Sequence, residues 1–286
     1  MNGWIKGAIA ASLVGASFPV SDALTDYSYT AGQLIRYAIG ALILVAILKG
    51  RIGKPTAREL LLLNATAAVG MVGFNLAVLA AVDHIGATNA GVIIGASPVF
   101  LALATGHRQV LPAALVVVAG AAIVNGADST VTLLGALFAV AALAGEVGFT
   151  LLAAPLLPRL GPIRVAAWSA ILATAELAII TRGDVPTPNA EQAAAIAYLA
   201  VITTALAFVL WFGAVQQLGA AKAGLLVGFM PLAAVTVDAA LNGAAPSTAD
   251  LAGTALVAAG IVYGALPNTL RARIVRRTAA PEPTGG

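Results

Sequence analysis

The chain is a near-unbroken succession of apolar runs, each about as long as a bilayer is thick. A run of about 20 apolar residues spans the hydrocarbon core as a helix. Ten such runs can be read, over residues 4–23, 30–48, 59–82, 88–105, 110–126, 132–154, 163–181, 192–215, 223–241 and 249–266. Hydrophobic residues make up 60% of the chain and charged residues 9%, against roughly 25% charged in soluble domains. Lipid is therefore the solvent for most of these residues. The connections are short, so the expected fold is an all-α membrane protein of ten transmembrane helices with no soluble domain.

Orientation follows from lysine and arginine, which favour cytoplasmic loops. With the N-terminus inside and the helices alternating, Lys6, Lys49, Arg51, Lys54, Arg58, Arg108, Arg159, Arg164, Lys222, Arg271, Arg273, Arg276 and Arg277 all fall on the cytoplasmic side, 13 of the 15 basic residues. The exceptions are Arg36, inside helix 2, and Arg182. Acidic residues (Asp22, Asp26, Asp83, Asp128, Asp184, Glu191 and Asp250) gather on the other side. Both termini are predicted to be cytoplasmic. The basic tail 269–286 is read as a topology anchor, and helix 1 as a retained span rather than a cleaved signal, since removing it would leave one half of the chain a helix short.

A thirteen-residue stretch occurs twice. Gly86 to Pro98 reads GATNAGVIIGASP, and 133 positions later Gly219 to Pro231 reads GAAKAGLLVGFMP. Each copy holds a Gly-x-x-x-Gly pair, Gly91/Gly95 and Gly224/Gly228, followed by Pro98 or Pro231. In a membrane, such glycine pairs let helix backbones approach closely, and a mid-span proline removes one backbone hydrogen bond and bends the helix. These residues are the expected packing contacts and hinges. Five helices per half is odd, so the second half enters the membrane the opposite way up. The expectation is two inverted five-helix repeats, residues 1–128 and 129–268, related by a pseudo-two-fold axis in the membrane plane. Further matches are Ala119-Gly120 with Ala259-Gly260 and Gly7-Ala8 with Gly135-Ala136.

Several functions are excluded by what the sequence lacks. There is no cysteine, and the two histidines, His84 and His107, lie in different loops, so no metal centre is expected. Walker motifs, nucleotide-binding glycine loops and Ser/His/Asp arrangements are absent. No cofactor, no catalytic residue and no nucleic-acid partner are expected.

Ten helices in inverted halves, Gly-Ala-x-x-Ala-Gly leading to proline in each half, Gln-Leu-Ile-Arg36-Tyr in helix 2 and Gly15-Ala16-Ser17-Phe18-Pro19 in helix 1 together resemble the EamA-like members of the drug/metabolite transporter superfamily. The resemblance covers essentially the whole chain. It implies an inner-membrane exporter of amino acids, metabolites or drugs, with helices 1, 3, 4, 6, 8 and 9 around a central cavity and helices 5 and 10 at the periphery. It also implies a structural role for Arg36. The chain departs from the family in having Val14 before Gly15, and Glu146 mid helix 6, where tryptophan is common.

Glu146 is the sharpest candidate. Intramembrane carboxylates are costly and default to function, so it is read as a substrate-binding and proton-coupling group. The structural alternative is a carboxylate paired with Arg36 or held by a hydroxyl. Arg36 is expected to snorkel outward or pair with Asp22 or Asp26. Asn64 and Asn75 lie eleven residues apart on one face of helix 3, and Asn75, the deeper, is the substrate-binding candidate. Trp211 shares a face with Thr204 and is placed to stack on a substrate or to fill an interface. Phe18 is a candidate cavity wall. Asp238 shares a face with Pro231, while Glu176 and Asp238 both lie one to two turns from the outer surface.

These readings converge on a secondary active transporter that exports small amphipathic metabolites, amino acids or drug-like compounds, by alternating access, with proton coupling through Glu146. The alternatives are an uncoupled facilitator and a lipid-handling or scaffold protein. The expected partners are a small-molecule substrate and membrane lipid, the expected location is the inner (plasma) membrane, and a monomer is expected.

Overall fold

Inside a bilayer every backbone polar group must be satisfied within the protein, which leaves helices as the natural solution for long apolar runs. A computed structural model describes residues 1–17, 20, 22–125, 131–242, 247–266 and 270. Among the described residues there are helices and connecting segments but no strand. In chain order the helices are α1 (Gly3–Gly15), α2 (Tyr29–Ile47), α3 (Ala57–Gly86), α4 (Asn89–Ala104), α5 (Arg108–Val124), α6 (Leu133–Leu160), α7 (Pro162–Thr181), α8 (Ala190–Leu218), α9 (Ala220–Val237) and α10 (Thr248–Ala265). Seven of these are long and apolar enough to cross a membrane, and α1, α4 and α5 are shorter apolar helices.

Helices α3 and α8 are built alike. Each starts on a reciprocal capping box, Thr56 with Glu59 and Asn189 with Gln192. In such a box the side chains satisfy two otherwise orphaned backbone donors. Each then carries a π-helical segment, Ala68–Gly73 and Leu199–Leu206. Each ends at a glycine with a positive φ: Gly86 at φ 74°, ψ 160° and Gly219 at φ 78°, ψ 157°. Residues 56, 59, 73 and 86 plus 133 give 189, 192, 206 and 219. Neither π segment nor either capping box figured in the sequence reading, which started both helices two residues late.

The helix after each of these glycines is irregular ahead of its proline. In α4 the helical run ends at Ile94 and a new one begins at Ser97, with Pro98 in its first turn. In α9 a 3-10 turn over Leu225–Gly228 precedes the run that carries Pro231. Helices α5 and α10 cross through glycines. A Cβ on Gly120 would lie 2.7 Å from Gly253 O and 2.8 Å from Val257 N, and one on Gly260 would lie 3.0 Å from both Ala113 O and Val117 N. Here the offset is 140, taking 113, 117 and 120 to 253, 257 and 260.

The largest apolar core joins α1, α6, α7, α8 and α9 through Leu156, Leu157, Val165, Phe212, Val215 and Leu226. It closes one end of the bundle. There Trp168 Nε1 donates to Ile52 O (3.2 Å), Arg164 Nε to Arg51 O (3.3 Å) and Gln216 Nε2 to Leu157 O (2.8 Å), and Arg159 pairs with Glu59. At the opposite end Tyr27 Oη donates to Pro186 O at 2.5 Å. Packing along α9 follows the same gradient. Ala220 to Gly228 is buried except at Lys222, whereas from Phe229 onward the described side chains are half-buried or exposed.

Candidate functional site

Glu146 sits in the middle of α6, and the helix shows which way it points. Leu133, Leu137 and Val140 are exposed large apolar side chains, so they mark the lipid face. Glu146 comes nine residues after Leu137. That is two and a half helical turns, which puts it on the opposite side. Its neighbours on that inner face, Ala139, Ala142 and Thr150, are buried, but Glu146 is only half-buried. The carboxylate therefore points toward the inside of the bundle rather than toward the lipid face. Oε1 accepts a hydrogen bond from Ser97 Oγ at 3.1 Å. Ser97 is fully buried and immediately precedes Pro98, at the start of the second run of α4. The Glu146 side chain thus touches α4 at its break, and no ion pair joins it to Arg36 among the described residues.

On the other half of the bundle, α9 meets α1 at the corresponding place. Gly15 lies directly against the backbone of Met230, the residue before Pro231. Each proline-bearing helix therefore rests, just before its proline, on one member of the pair α1 and α6.

The glycine pairs behave differently. Gly224 faces Leu101 and Pro98 of α4, and Gly228 faces Val117 and Val257 of the α5/α10 pair. Gly95 meets no neighbouring helix: a Cβ there would lie near only Gly91 O and Val92 O of its own helix. Gly91 to Ala96 is half-buried throughout. Gly224 and Gly228 thus face other helices, whereas a Cβ on Gly95 would meet only its own helix among the described residues.

Asn75 is half-buried and engaged in a polar network. Its Nδ2 donates to Tyr37 Oη (2.8 Å) and Met71 O (2.6 Å), and Tyr29 Oη donates to Asn75 O (3.1 Å) and Oδ1 (3.2 Å). These residues line a narrow cleft with Gln33, Val72, Leu76 and Leu177. Trp211 is buried, and its Nε1 donates to Thr150 Oγ1 at 3.1 Å. Of its two expected roles, the structure shows interface filling and not a face open for stacking. Phe18 lies outside the described residues, as does the side chain of Asp238, whose backbone continues the helical run Phe229–Asn242.

Arg36 is directed into the bundle and makes no ion pair with Asp26 among the described residues; the side chain of Asp22 lies outside them. Its Nε donates to Thr204 Oγ1 (2.9 Å) and its Nη1 to Gln33 Oε1 (3.1 Å), both buried residues. Its guanidinium also lies 5.1 Å from the Tyr37 ring centroid. Gln33 and Tyr37 entered the sequence reading only as members of the Gln-Leu-Ile-Arg36-Tyr motif, without a role, and Tyr29 did not enter it. Glu176 carries both carboxylate oxygens buried and, among the described residues, without a hydrogen-bond partner. No cluster that could hold a metal ion occurs among the described residues.

A helical membrane protein with a polar site between broken helices is a transporter architecture. The model of the EamA-like transporter family matches residues 1–107 and 133–264, and the chain belongs to that family. It is 23% identical over 261 residues to the uncharacterized transporter YetK of Bacillus subtilis (strain 168), covering 83% of this chain and 79% of that one. It is 27% identical over 263 residues to a probable terminal-alkyne amino-acid exporter of Streptantibioticus cattleyicolor, covering 86% and 88%. A solved crystal structure shares the fold with a TM-score of 0.79 at 18% identity, covering 95% of this chain and 98% of that one.

Proposed function

We propose that this chain is a secondary active transporter of the inner (plasma) membrane that exports small amphipathic metabolites, amino acids among them, by alternating access coupled to protons through Glu146. The observation that carries the coupling is the inward-facing, half-buried Glu146 carboxylate bonded to Ser97 at the break of α4. A proton taken up or released there changes the charge at the joint that has to move. The amphipathic substrate class is supported by the exporter relative, whose name specifies an amino acid.

In this reading the ten helices all span the membrane, as two inverted halves with both termini cytoplasmic. Support comes from the constant 133-residue offset of the capping box, the end of the π segment and the terminal glycine, and from a family match that falls in two segments, one per half. In this reading the basic-residue bias orients the end of the bundle that Trp168, Arg164 and Gln216 close toward the cytoplasm. Pro98 and Pro231 are the hinges, and a single chain forms the pathway.

The test is efflux from proteoliposomes loaded with labelled amino acids, with and without an imposed pH gradient. The reading expects efflux that accelerates when the outside is acidic, and loss of that acceleration in Glu146→Gln. Efflux that ignores the gradient would make the protein a facilitator.

A further inference from the structure

We infer that Arg36 is an anion site that takes the carboxylate of the transported solute, an inference that rests on the transporter reading above. A cation inside a membrane protein is expensive unless an anion or a set of acceptors compensates it. Here the compensation is incomplete. A guanidinium offers five N–H donors in a fixed fork. Two are used, on the neutral oxygens of Thr204 and Gln33. The others have no acceptor among the described residues, and no carboxylate lies within ion-pair distance of Arg36 among them.

The two acceptors in use are deeply buried, Gln33 at 8% and Thr204 at 0% exposure. They hold the guanidinium between α2 and α8. The guanidinium lies 5.1 Å from the Tyr37 ring centroid, and Tyr37, hydrogen-bonded to Asn75, joins Asn75 and Tyr29 on the wall of a neighbouring cleft between α2, α3 and α7. Tyr37 Oη accepts from Asn75 and is left with a hydroxyl proton to give. Thr204 belongs to the π-helical segment of α8, and such segments are frequent at functional sites. The arrangement is one positive charge, spare N–H groups in a plane and neutral hydroxyls beside it. A carboxylate fits this set because its two oxygens accept from a guanidinium side by side. A bare amine does not fit, since the charge it would meet is of its own sign.

Thermal unfolding of the purified protein in detergent separates the possibilities. The probes are L-leucine, L-phenylalanine and L-methionine, the amines and methyl esters that lack the free carboxylate, and 3-phenylpropionate, which lacks the amine. A ligand that binds only the folded protein raises the melting temperature in proportion to its affinity. The expected result is a shift with the amino acids and none with amines or esters. A shift with 3-phenylpropionate as well identifies any apolar carboxylate as sufficient, and its absence shows that the amine is needed too. Arg36→Gln is expected to weaken binding by about tenfold to a hundredfold, with Arg36→Lys between. Should Arg36→Gln not fold, Arg36→Lys keeps the charge without the paired donors of the guanidinium and is expected to bind the amino acids more weakly than the native protein. Amines or esters binding as well as the parent amino acids would overturn the inference, as would no shift with any carboxylate or full binding in Arg36→Lys and Arg36→Gln. Each of these leaves the efflux test of the transporter reading untouched.

Discussion

Ser97 Oγ gives its hydrogen bond to Glu146 Oε1 across 3.1 Å, and the next residue in the chain is the proline at which α4 resumes. A charge-bearing group is thereby tied to the one place in α4 where the helix is already interrupted. Ser97→Ala removes the donor and leaves the carboxyl group in place. A hydrogen bond of this kind contributes about 1 kcal/mol net. The variant is therefore expected to unfold at a slightly lower temperature and to transport more slowly while keeping its response to a pH gradient. A loss of that response in Ser97→Ala would show that the serine, not the carboxyl, carries it.

The terminal glycines of α3 and α8 test the relation between the two halves. Gly86 and Gly219 share a φ near +75° with extended ψ, a region that is essentially glycine-only. Nothing lies within 4 Å of a Cβ at either position. Gly86→Ala and Gly219→Ala are thus expected to destabilise through backbone strain alone, by about 1–3 kcal/mol, and by similar amounts. Thermal unfolding of the two variants side by side checks this, and a neutral result at only one of them would contradict the shared conformation.

The α5/α10 crossing makes a steric prediction. Gly120→Ala would press a methyl to within 2.7 Å of Gly253 O, whereas Gly32→Ala would meet Tyr27 Cδ1 at an ordinary 3.5 Å. Overpacking costs about 1–3 kcal/mol, so Gly120→Ala should lower the melting temperature and Gly32→Ala should leave it nearly unchanged.

Trp211 separates packing from substrate contact. Its ring is buried and its N–H is held by Thr150. Trp211→Phe leaves the Thr150 hydroxyl without this donor and is expected to cost about 1 kcal/mol without changing the concentration of solute that half-saturates efflux. A large change in half-saturation at unchanged stability would place the ring in the solute's path.

Glu176 has both carboxylate oxygens buried with no hydrogen bond. A buried polar group without a partner is unfavourable, so Glu176→Leu is expected to raise the melting temperature. A drop of more than a few degrees would mean that the carboxylate is held by something that the bonds seen here do not include.

Much of this could be read from residue order, and the parts that could not have physical reasons. Apolar run length gave the helices, because lipid leaves a chain few alternatives. The Gly86/Gly219 register emerged because glycine and proline are rare enough in context to carry information. The capping boxes at Thr56 and Asn189 obey the same register and were present in the sequence, but their side chains differ, so matching letters passed them by. The π segments left no such mark: Ala68–Gly73 and Leu199–Leu206 differ in composition, and their geometry is set by packing. Glu146 stood out because a lone carboxylate in an apolar helix does. Its partner Ser97 did not, although it lies inside the repeated stretch, because serine is common in such helices. Helical spacing placed Asn75 and Trp211 on faces, but could not say that Tyr29, Tyr37 and Thr150 already occupy them.

The central claim is that Glu146 carries the proton of the transport cycle. The most direct measurement is proton movement in proteoliposomes containing a trapped pH-sensitive dye, after addition of L-leucine, L-phenylalanine or L-methionine outside. The account predicts an amino-acid-dependent pH change with the native protein and none with Glu146→Gln at the same folded amount. An undiminished pH change with Glu146→Gln would contradict it.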